Sequence, residues 1–263
     1  MIVLRSFNDG LAKRNCFYHI FAIYMKLPHI FLLILLSLSI GKISSAQKNL
    51  GSWNTAIIKL GFAKKWTLVS ELQLRSLHTF NYYYYQGYQT AIQFKLNNSV
   101  SFMAGIGKYD TYSDGGNFKT PIVTDEKRIW EQITFLQMIN RIKLEHRYRV
   151  EQRFGSFGYR NRFKYRLNCV IPVNHIRLDA HTWYAYGNEE LFFFDKAPYF
   201  ESNRLGAGVG YQLNKNIALQ TGLFHVFNYK INSKTSKDFL QLTLLYEQAW
   251  RKKAQVLKPV SSP

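Results

Sequence analysis

The sequence predicts an all-β fold: a single antiparallel transmembrane β-barrel of about 10–12 strands, after a cleaved signal peptide. Three observations lead to this prediction. Residues 141–166 alternate with period two between a charged face and a mostly apolar, aromatic face. Similar strand patterns, separated by turns, recur to the end of the chain. The first 46 residues have the composition of a secretory signal rather than of a folded domain.

Residues 141–166 form the clearest strand pair. Side chains on a strand alternate between its two faces, and a turn at residues 155–158 separates two alternating runs. One face is apolar or aromatic, as at Leu144, Tyr148, Phe163, Tyr165 and Leu167. The other face carries ten charges: Lys143, Glu145, Arg147, Arg149, Glu151, Arg153, Arg160, Arg162, Lys164 and Arg166.

These ten charges could face water in a soluble sheet or line the lumen of a membrane barrel. Their density on one narrow hairpin favours the barrel. The two acids that stand among the bases also suit cross-strand pairing inside a narrow lumen. We therefore expect the charged face to point inward and the apolar face to contact lipid.

Residues 1–46 have the pattern of a secretory signal peptide. An apolar run at 27–40 is followed by Ser44 and Ala46, small residues at the −3 and −1 positions of a cut before Gln47. The run is too short for a membrane-spanning helix, which needs about 20 residues. Met25, just before the run, is an alternative start of the chain.

The remaining chain is long enough for one sizeable domain. We assign residues 47–247 to an outer-membrane barrel and residues 248–263 to a basic periplasmic tail. Removal of five basic residues and one acid with residues 1–46 lowers the net charge from +19 to +15. Cys169 is the single cysteine after residue 46, so an internal disulfide is excluded. A domain of this kind must be held together by its fold.

Strand patterns continue along the whole of this domain. They cover 54–62, 66–78, 82–96, 100–106, 128–139, 141–154, 158–167, 177–186, 204–213, 217–229 and 240–247. These are eleven strands, whereas single-chain bacterial barrels have an even number. We therefore expect about 10–12 strands, because one strand could be missed or fail to span.

The pattern predicts that short turns alternate with longer loops along the chain. The short turns are at 63–65, 97–98, 140, 172–175 and 214–216. Longer polar segments lie between them, including 110–127, 187–200 and the segment after residue 229. Short periplasmic turns and long outer loops are typical of outer-membrane barrels, so this pattern supports a location in the cell outer membrane.

A series of motifs resembles a known family. The motifs are Trp53, the run Glu71-x-Gln73-x-Arg75, the run Glu126-x-Arg128-x-Trp130-x-Gln132, the run from His146 to Phe154 with Arg160-x-Arg162, and Asn203-Arg204 before the glycine-rich run from Gly206 to Tyr211. Together they resemble an uncharacterised family of secreted proteins that is common in Bacteroidota and is known only as a domain of unknown function. The resemblance implies an outer-membrane β-barrel and brings no activity or ligand.

The function that follows is a non-enzymatic outer-membrane barrel with a charged interior that is structural or interacts with small solutes or anions. Two acids on the hairpin cannot neutralise its bases, so acids elsewhere decide between these roles. The candidates for this network are Glu71, Arg75, Glu126, Arg128, Glu131, Asp179, Glu189, Glu190, Glu201 and Arg204. If acids reach the bases, ion pairs plug the lumen; if they do not, the lumen attracts anions. The plug is favoured, since about 10–12 strands leave little bore once long side chains fill it.

Two alternatives belong to other classes. One is an acyl-chain hydrolase or transferase in the same membrane, which would use His146, His181 or His225 with Ser76 or Ser156. No G-x-S-x-G motif supports it. The other is a soluble, secreted, lipocalin-like binder, which would not fractionate with membranes.

Cofactor and partner signals are sparse. We expect no cofactor and no metal, because the histidines are scattered and no metal-binding motif is present. Glu189, Glu190 and Asp195 could hold a cation but are better explained as a solvated loop. The expected partners are outer-membrane lipid, lipopolysaccharide and the barrel-assembly machinery. The signal peptide argues against nucleic acid, and the oligomeric state stays open.

Overall fold

The computed structural model describes residues 50–250 apart from 114–115, 157 and 231–232. These residues form a closed barrel of eleven strands. The strands are β1 (Gly51–Ala63), β2 (Trp66–His78), β3 (Asn81–Lys95), β4 (Val100–Tyr112), β5 (Ile122–Ile139), β6 (Ile142–Gly155), β7 (Gly158–Pro172), β8 (Thr182–Phe194), β9 (Phe200–Gln212), β10 (Ile217–Lys230) and β11 (Ser233–Gln248). In this part of the chain no helix is long and apolar enough to cross a membrane.

The predicted all-β barrel is confirmed, and its eleven strands fall within the expected range. Each strand pairs in antiparallel fashion with the next one in the chain. The barrel closes between β1 and β11, which run parallel in a register from Gly51 opposite Phe239 to Leu60 opposite Gln248. The prediction of a purely antiparallel barrel is therefore wrong at this seam. With an odd number of up-and-down strands, the first and last strands must run in the same direction.

The distribution of side chains is inverted relative to a soluble protein. Aromatic and charged residues fill the interior, where Trp130 is 2% exposed and Glu151 1% exposed. Apolar residues cover the outside, where Ile106 is 59% exposed and Leu223 58% exposed. This pattern is characteristic of barrels whose outer surface meets lipid.

We name the two rims of the barrel after the first residue of β1, Gly51, and the last residue of β11, Gln248. At the Gly51 rim lie the start of β1, the connections 79–80 and 195–199, and the strand ends that flank residues 113–121, 156–157 and 231–232. The Gln248 rim holds the end of β11 and the connections 64–65, 96–99, 140–141, 173–181 and 213–216. A connection of nine residues thus lies at each rim, and the predicted sorting of short turns from long loops is wrong.

The error arises because several predicted loops are strand. β4 continues to Tyr112, β5 begins at Ile122, β8 runs to Phe194 and β11 begins at Ser233. These segments carry polar residues on both faces, so their sequence does not alternate between polar and apolar residues. Their backbone nevertheless pairs with the neighbouring strands. Conversely, residues 177–181, predicted as strand, belong to the connection before β8, most of whose side chains are exposed.

Glycines on the inner face of β9 make room for the aromatic interior. A Cβ on Gly206 would lie 2.4 Å from the Phe224 ring, and a Cβ on Gly210 would lie 2.2 Å from the Tyr184 ring. Both distances are shorter than any ordinary contact. The glycine-rich run of β9 therefore serves close packing across the lumen.

Two predictions fall largely or wholly on residues outside the described ranges. The signal peptide, residues 1–46, lies before them, and residues 251–263 of the predicted tail lie after them. Both stay predictions.

Candidate functional site

The centre of the lumen is a buried carboxylate surrounded by bases. Glu151 on β6 faces Arg162 on β7 in the strand register, and the Arg162 Nε donates to Glu151 Oε2 over 2.9 Å. The Lys164 Nζ lies 3.5 Å from the same carboxylate, and guanidinium nitrogens of Arg128 and Arg149 each lie 3.7 Å from it. One acid is thus shared by four cations from three strands.

Two further acids extend this cluster toward the Gly51 rim. Arg153 holds Glu126 with two guanidinium nitrogens, one of them 2.7 Å from Oε2, and Arg128 donates to the same carboxylate. Glu201 on β9 lies 3.3 Å from Arg153 on β6 and 3.3 Å from Arg162 on β7. Because β9 and β6 are not neighbours, Glu201 joins separate parts of the wall.

A fourth acid, Glu190, contacts three bases in the lumen. It is buried on β8, and the Arg147 Nη2 donates to its Oε1 over 2.9 Å. Arg166 and Arg204 place nitrogens 3.7 Å and 3.8 Å from its oxygens. Sequence reasoning treated Glu190 as part of a loop, whereas it lies on the inner face of a strand.

These side chains form one group that we call the charge layer. Its acids are Glu126, Glu151, Glu190 and Glu201, and its bases are Arg128, Arg147, Arg149, Arg153, Arg162, Lys164, Arg166 and Arg204. Among these residues eight bases face four acids, so the layer has a formal surplus of positive charge. Buried ion pairs require this close geometry to offset the loss of water.

Aromatic rings support the guanidinium groups. Arg128 stacks 3.7 Å from the centre of Tyr109, Arg149 lies 3.7 Å from Trp130, and Arg204 lies 4.1 Å from Phe192. A cation over a ring face is attracted by the ring quadrupole, more strongly where water is excluded. The rings therefore stabilise bases that the few acids cannot pair.

Near the Gly51 rim the lumen becomes mainly aromatic. The Arg75 guanidinium lies between Trp53 and Tyr85, 3.4 Å and 4.0 Å from their ring centres. Trp53 packs edge-on against Phe224 and Phe239, at centroid distances of 4.9 Å and 5.6 Å. Sequence reasoning named Arg75 as a possible partner in the network but missed the rings, because strand register alone brings them together.

Toward the Gln248 rim the lumen opens into a chamber of about 300 Å³. Trp130 and Arg149 lie at its inner end, and Lys59, Lys143 and Glu145 line its walls. Amide side chains are frequent in the lining: Gln89, Gln93, Gln132, Asn168, Asn188, Gln212, Asn216, Gln220 and Gln241. The chamber is therefore polar, and it ends against the charge layer.

All ten residues of the predicted ladder lie on the same side of their strands, and nine meet in the lumen. Seven of them belong to the charge layer, and Lys143 and Glu145 line the chamber. Arg160 is exposed near the Gly51 rim, 5.5 Å from the ring centre of Phe194. The opposite face points outward, as predicted, with Tyr148 and Phe163 both exposed.

Four of the seven predicted acidic partners face the lumen. Glu126, Glu190 and Glu201 reach the ladder as described above. Glu71 faces the lumen but bonds to amides, accepting from Gln89 over 2.9 Å and from Gln73. It lines the chamber rather than pairing with a base of the layer.

Three other predicted partners are wrong. Glu131 points outward and accepts from Gln152 over 3.3 Å, because the inner residues of β5 are even-numbered, as Trp130 is. Glu189 also points outward and accepts from Asn203 over 3.0 Å. Asp179 is exposed in the 173–181 connection.

The alternative cation site is not formed. Glu189 and Glu190 are consecutive on β8 and therefore point to opposite faces. Asp195 lies at the Gly51 rim and accepts from the Asn161 side chain over 2.8 Å, which lowers the pKa of Asp195. In the described part of the chain, no cluster of three His, Cys, Asp or Glu side chains could hold a metal ion.

The histidines and serines considered for an acyl-chain enzyme lie apart. The Nδ1 atoms of His146 and His181 bond to the hydroxyls of Tyr165 and Tyr211, at 2.9 Å and 3.1 Å. Ser76 is buried and bonds to Ser52 over 2.6 Å. Ser156 lies in the connection between β6 and β7 at the Gly51 rim.

His225 differs from the other two histidines, since its Nδ1 lies 2.6 Å from a carboxylate oxygen of Asp238. Both side chains are on the outer face of the barrel. No bond joins a serine to any of these histidines among the described residues.

The family model for proteins of unknown function designated DUF2490 matches residues 50–237. The chain belongs to this family, and the predicted resemblance to a domain of unknown function is confirmed. A search of curated proteins found no match. Among solved structures, LpxR from Salmonella typhimurium aligns over 83% of this chain and 96% of its own, with 11% identity and a TM-score of 0.46.

Proposed function

We propose that this member of the DUF2490 family is a non-enzymatic β-barrel of the outer membrane of a Gram-negative bacterium, and that the charge layer closes its lumen. The apolar outer surface of the closed barrel supports a position in lipid. It also argues against the soluble, lipocalin-like alternative, since a soluble barrel would expose large apolar side chains on every strand to water. The secretion pattern of residues 1–46 supports export.

The observation that carries the closed lumen is the burial of Glu151. Its side chain is 1% exposed and lies among Arg128, Arg149, Arg162 and Lys164. Water or solute passing through the barrel would have to pass this carboxylate and wet it. Together with the rings that cover its guanidinium groups, the charge layer closes the lumen, so that no continuous channel crosses the barrel.

The outer surface supports one orientation. Polar pairs lie on the outside toward the Gly51 rim, with Glu189 bonded to Asn203 and His225 to Asp238. Tilted strands need about 9–11 residues to span a bilayer, and these have 13–18. We therefore propose that the strands project beyond the membrane at the Gly51 rim, outside the cell, and that the Gln248 rim faces the periplasm.

The proposed partners follow from this position. The outer face contacts outer-membrane lipid and, in the outer leaflet, lipopolysaccharide, and the barrel-assembly machinery inserts the chain. No nucleic acid is involved. The motif resemblance adds Bacteroidota as the proposed source, and residues 248–263 form the periplasmic tail.

Fractionation tests this proposal. The protein should sediment with the outer membrane, resist extraction by carbonate and begin at Gln47. It should also migrate faster on a gel without heating, because a closed barrel offers detergent no free strand edge. A soluble periplasmic monomer would overturn the proposal.

The His225–Asp238 pair supports one second candidate, an acyl-chain hydrolase. A carboxylate at Nδ1 orients a histidine for proton transfer, and this pair lies on the outer face of the barrel, beside the proposed membrane surface. Purified protein would then release fatty acids from outer-membrane lipid, and His225→Ala would abolish release. If wild type and His225→Ala release no fatty acid above a blank, the enzyme alternative is excluded.

A further inference from the structure

We infer that the chamber between the charge layer and the Gln248 rim binds a small anionic solute of about the size of a monosaccharide, held through a phosphate or carboxylate group. This inference rests on the proposed closed barrel, in which the chamber is a pocket with one mouth. That mouth faces the periplasm, so the ligand would be a periplasmic solute.

The positive charge at the inner end of the chamber is the first observation. Arg147 and Arg166 lie opposite each other in the β6–β7 register, and both line the chamber. The acid that they contact, Glu190, also serves Arg204. Three guanidinium groups thus share one carboxylate. Over the whole lining, positive charge is in excess, with five bases against three acids: Lys59, Lys143, Arg147, Arg149 and Arg166 against Glu71, Glu145 and Glu247. An anion placed here would restore the balance.

Unpaired hydrogen-bond donors are the second observation. Trp130 and Arg166 line the chamber, and the Trp130 Nε1 and Arg166 Nε atoms are buried without an acceptor among the described residues. Trp130 is almost fully buried, so water has little access to its N–H group. Buried N–H groups rarely stay unpaired. Among the described residues, Asp110 and Gln152 each have a buried side-chain oxygen without a hydrogen-bond partner. Neither residue lines the chamber.

This imbalance specifies the chemistry of the missing group. The chamber offers surplus donors and surplus positive charge, and both are complemented by an oxyanion. Charge-assisted hydrogen bonds from arginine to phosphate or carboxylate are short and strong. A neutral or cationic solute would leave the donors and the charge uncompensated.

The polar side chains of the chamber walls suit a ligand whose anionic group is attached to a polar, hydroxyl-bearing ring. Amides of Gln89, Gln220 and Gln241 and the hydroxyls of Tyr184 and Tyr186 line the chamber. Some of these groups already bond to one another, with Gln220 donating to Tyr184 over 3.1 Å and Tyr186 donating to Gln241 over 3.3 Å. Such groups can donate to or accept from sugar hydroxyls. A volume of about 300 Å³ is at the lower end of ligand pockets and suits one sugar ring.

The test measures binding to the full mature protein refolded in an uncharged detergent. Glucose 6-phosphate, glucuronate, inorganic phosphate and glucose are titrated by calorimetry, with tryptophan fluorescence as a second signal because Trp130 lines the chamber. We expect an anionic sugar to bind at least about tenfold more tightly than glucose, from the strength of hydrogen bonds to charged groups. Preference for the phosphate or the carboxylate form identifies which oxyanion the site takes.

Arg166→Gln provides the variant, and Lys119→Gln the matched control. Glu190 keeps Arg147 and Arg204 when Arg166 is replaced, so the barrel should still fold, which its heat-modifiable mobility checks. Lys119 is exposed in the connection at the opposite rim, so its loss removes the same charge away from the chamber. Arg166→Gln should weaken anionic-sugar binding about tenfold, and Lys119→Gln should leave it unchanged.

Failure of this inference is distinct from failure of the proposed function. Equal binding of glucose and its anionic forms, or no binding of any probe by a barrel that passes no current, overturns the binding site and leaves the closed barrel intact. Equal losses in the two variants also overturn it. A wild-type barrel that conducts ions overturns the closed lumen itself.

Discussion

Glu151 on β6 and Arg162 on β7 face each other across the strand pair, with the Arg162 Nε 2.9 Å from Glu151 Oε2 deep inside the barrel. The pair couples two neighbouring strands at the centre of the lumen. Glu201 then links Arg162 to Arg153 and so extends the same network. The stability of the barrel and the closure of its lumen should therefore both depend on this network.

Replacement of the central acid should destabilise the barrel. Glu151→Gln leaves Arg162, Arg128, Arg149 and Lys164 without their shared carboxylate, and an uncompensated buried charge costs roughly 3–5 kcal/mol. The free energy of unfolding in urea, measured in lipid vesicles, gives the change directly.

Glu131→Gln is the control for this variant. Glu131 lies on the adjacent strand but on the outer face, where it bonds to Gln152. Its replacement removes a charge from the outer face and disturbs none of the buried ion pairs, so it should not destabilise the barrel. Similar losses from the two substitutions would contradict a buried network.

The two faces of β6 and β7 should differ in their tolerance of arginine. Leu144→Arg or Tyr165→Arg places a charge on the outer face and should cost about 2–4 kcal/mol if the site is near the bilayer midplane, less near a rim. Asn168→Arg adds the same charge on the inner face, opposite Glu145, and should cost much less. Unfolding free energies in vesicles test this difference, and equal costs would reverse the assignment of the faces.

Close packing over β9 should make its inner glycines intolerant of a methyl group. Gly206→Ala would place a Cβ 2.4 Å from the Phe224 ring, and overpacking of this kind costs typically about 1–3 kcal/mol. Gly187→Ala on β8 is the control, since the nearest atom to its added Cβ is 3.8 Å away. Unfolding measurements on both variants should separate them; a harmless Gly206→Ala would mean that the aromatic interior is loose.

Strong local patterns made much of the fold predictable. The β6–β7 hairpin was recognised because charge and apolarity alternate without interruption, and its inward face follows from that alternation. β8 has no such alternation, because Asn188, Glu190 and Phe192 point inward while Glu189 and Leu191 point outward. Both of its faces mix polar and apolar residues, so no amphipathic signal remains.

The pairing of strands that are far apart in the chain cannot be predicted from one sequence. The parallel seam joins Gly51 to Phe239, two residues at opposite ends of the described chain. Which acids meet the ladder likewise depends on register: Glu201 reaches Arg153 and Arg162, whereas Glu131 is turned outward. Composition supplied the candidates, and the packing of the closed barrel selected among them.

Planar-bilayer recording of the refolded mature protein tests the closed lumen most directly. The charge layer predicts no current above that of the bare bilayer, and the same result for Glu151→Gln, whose bases and aromatic rings still fill the bore. A large, stable, anion-selective current from the unmutated protein would contradict the account.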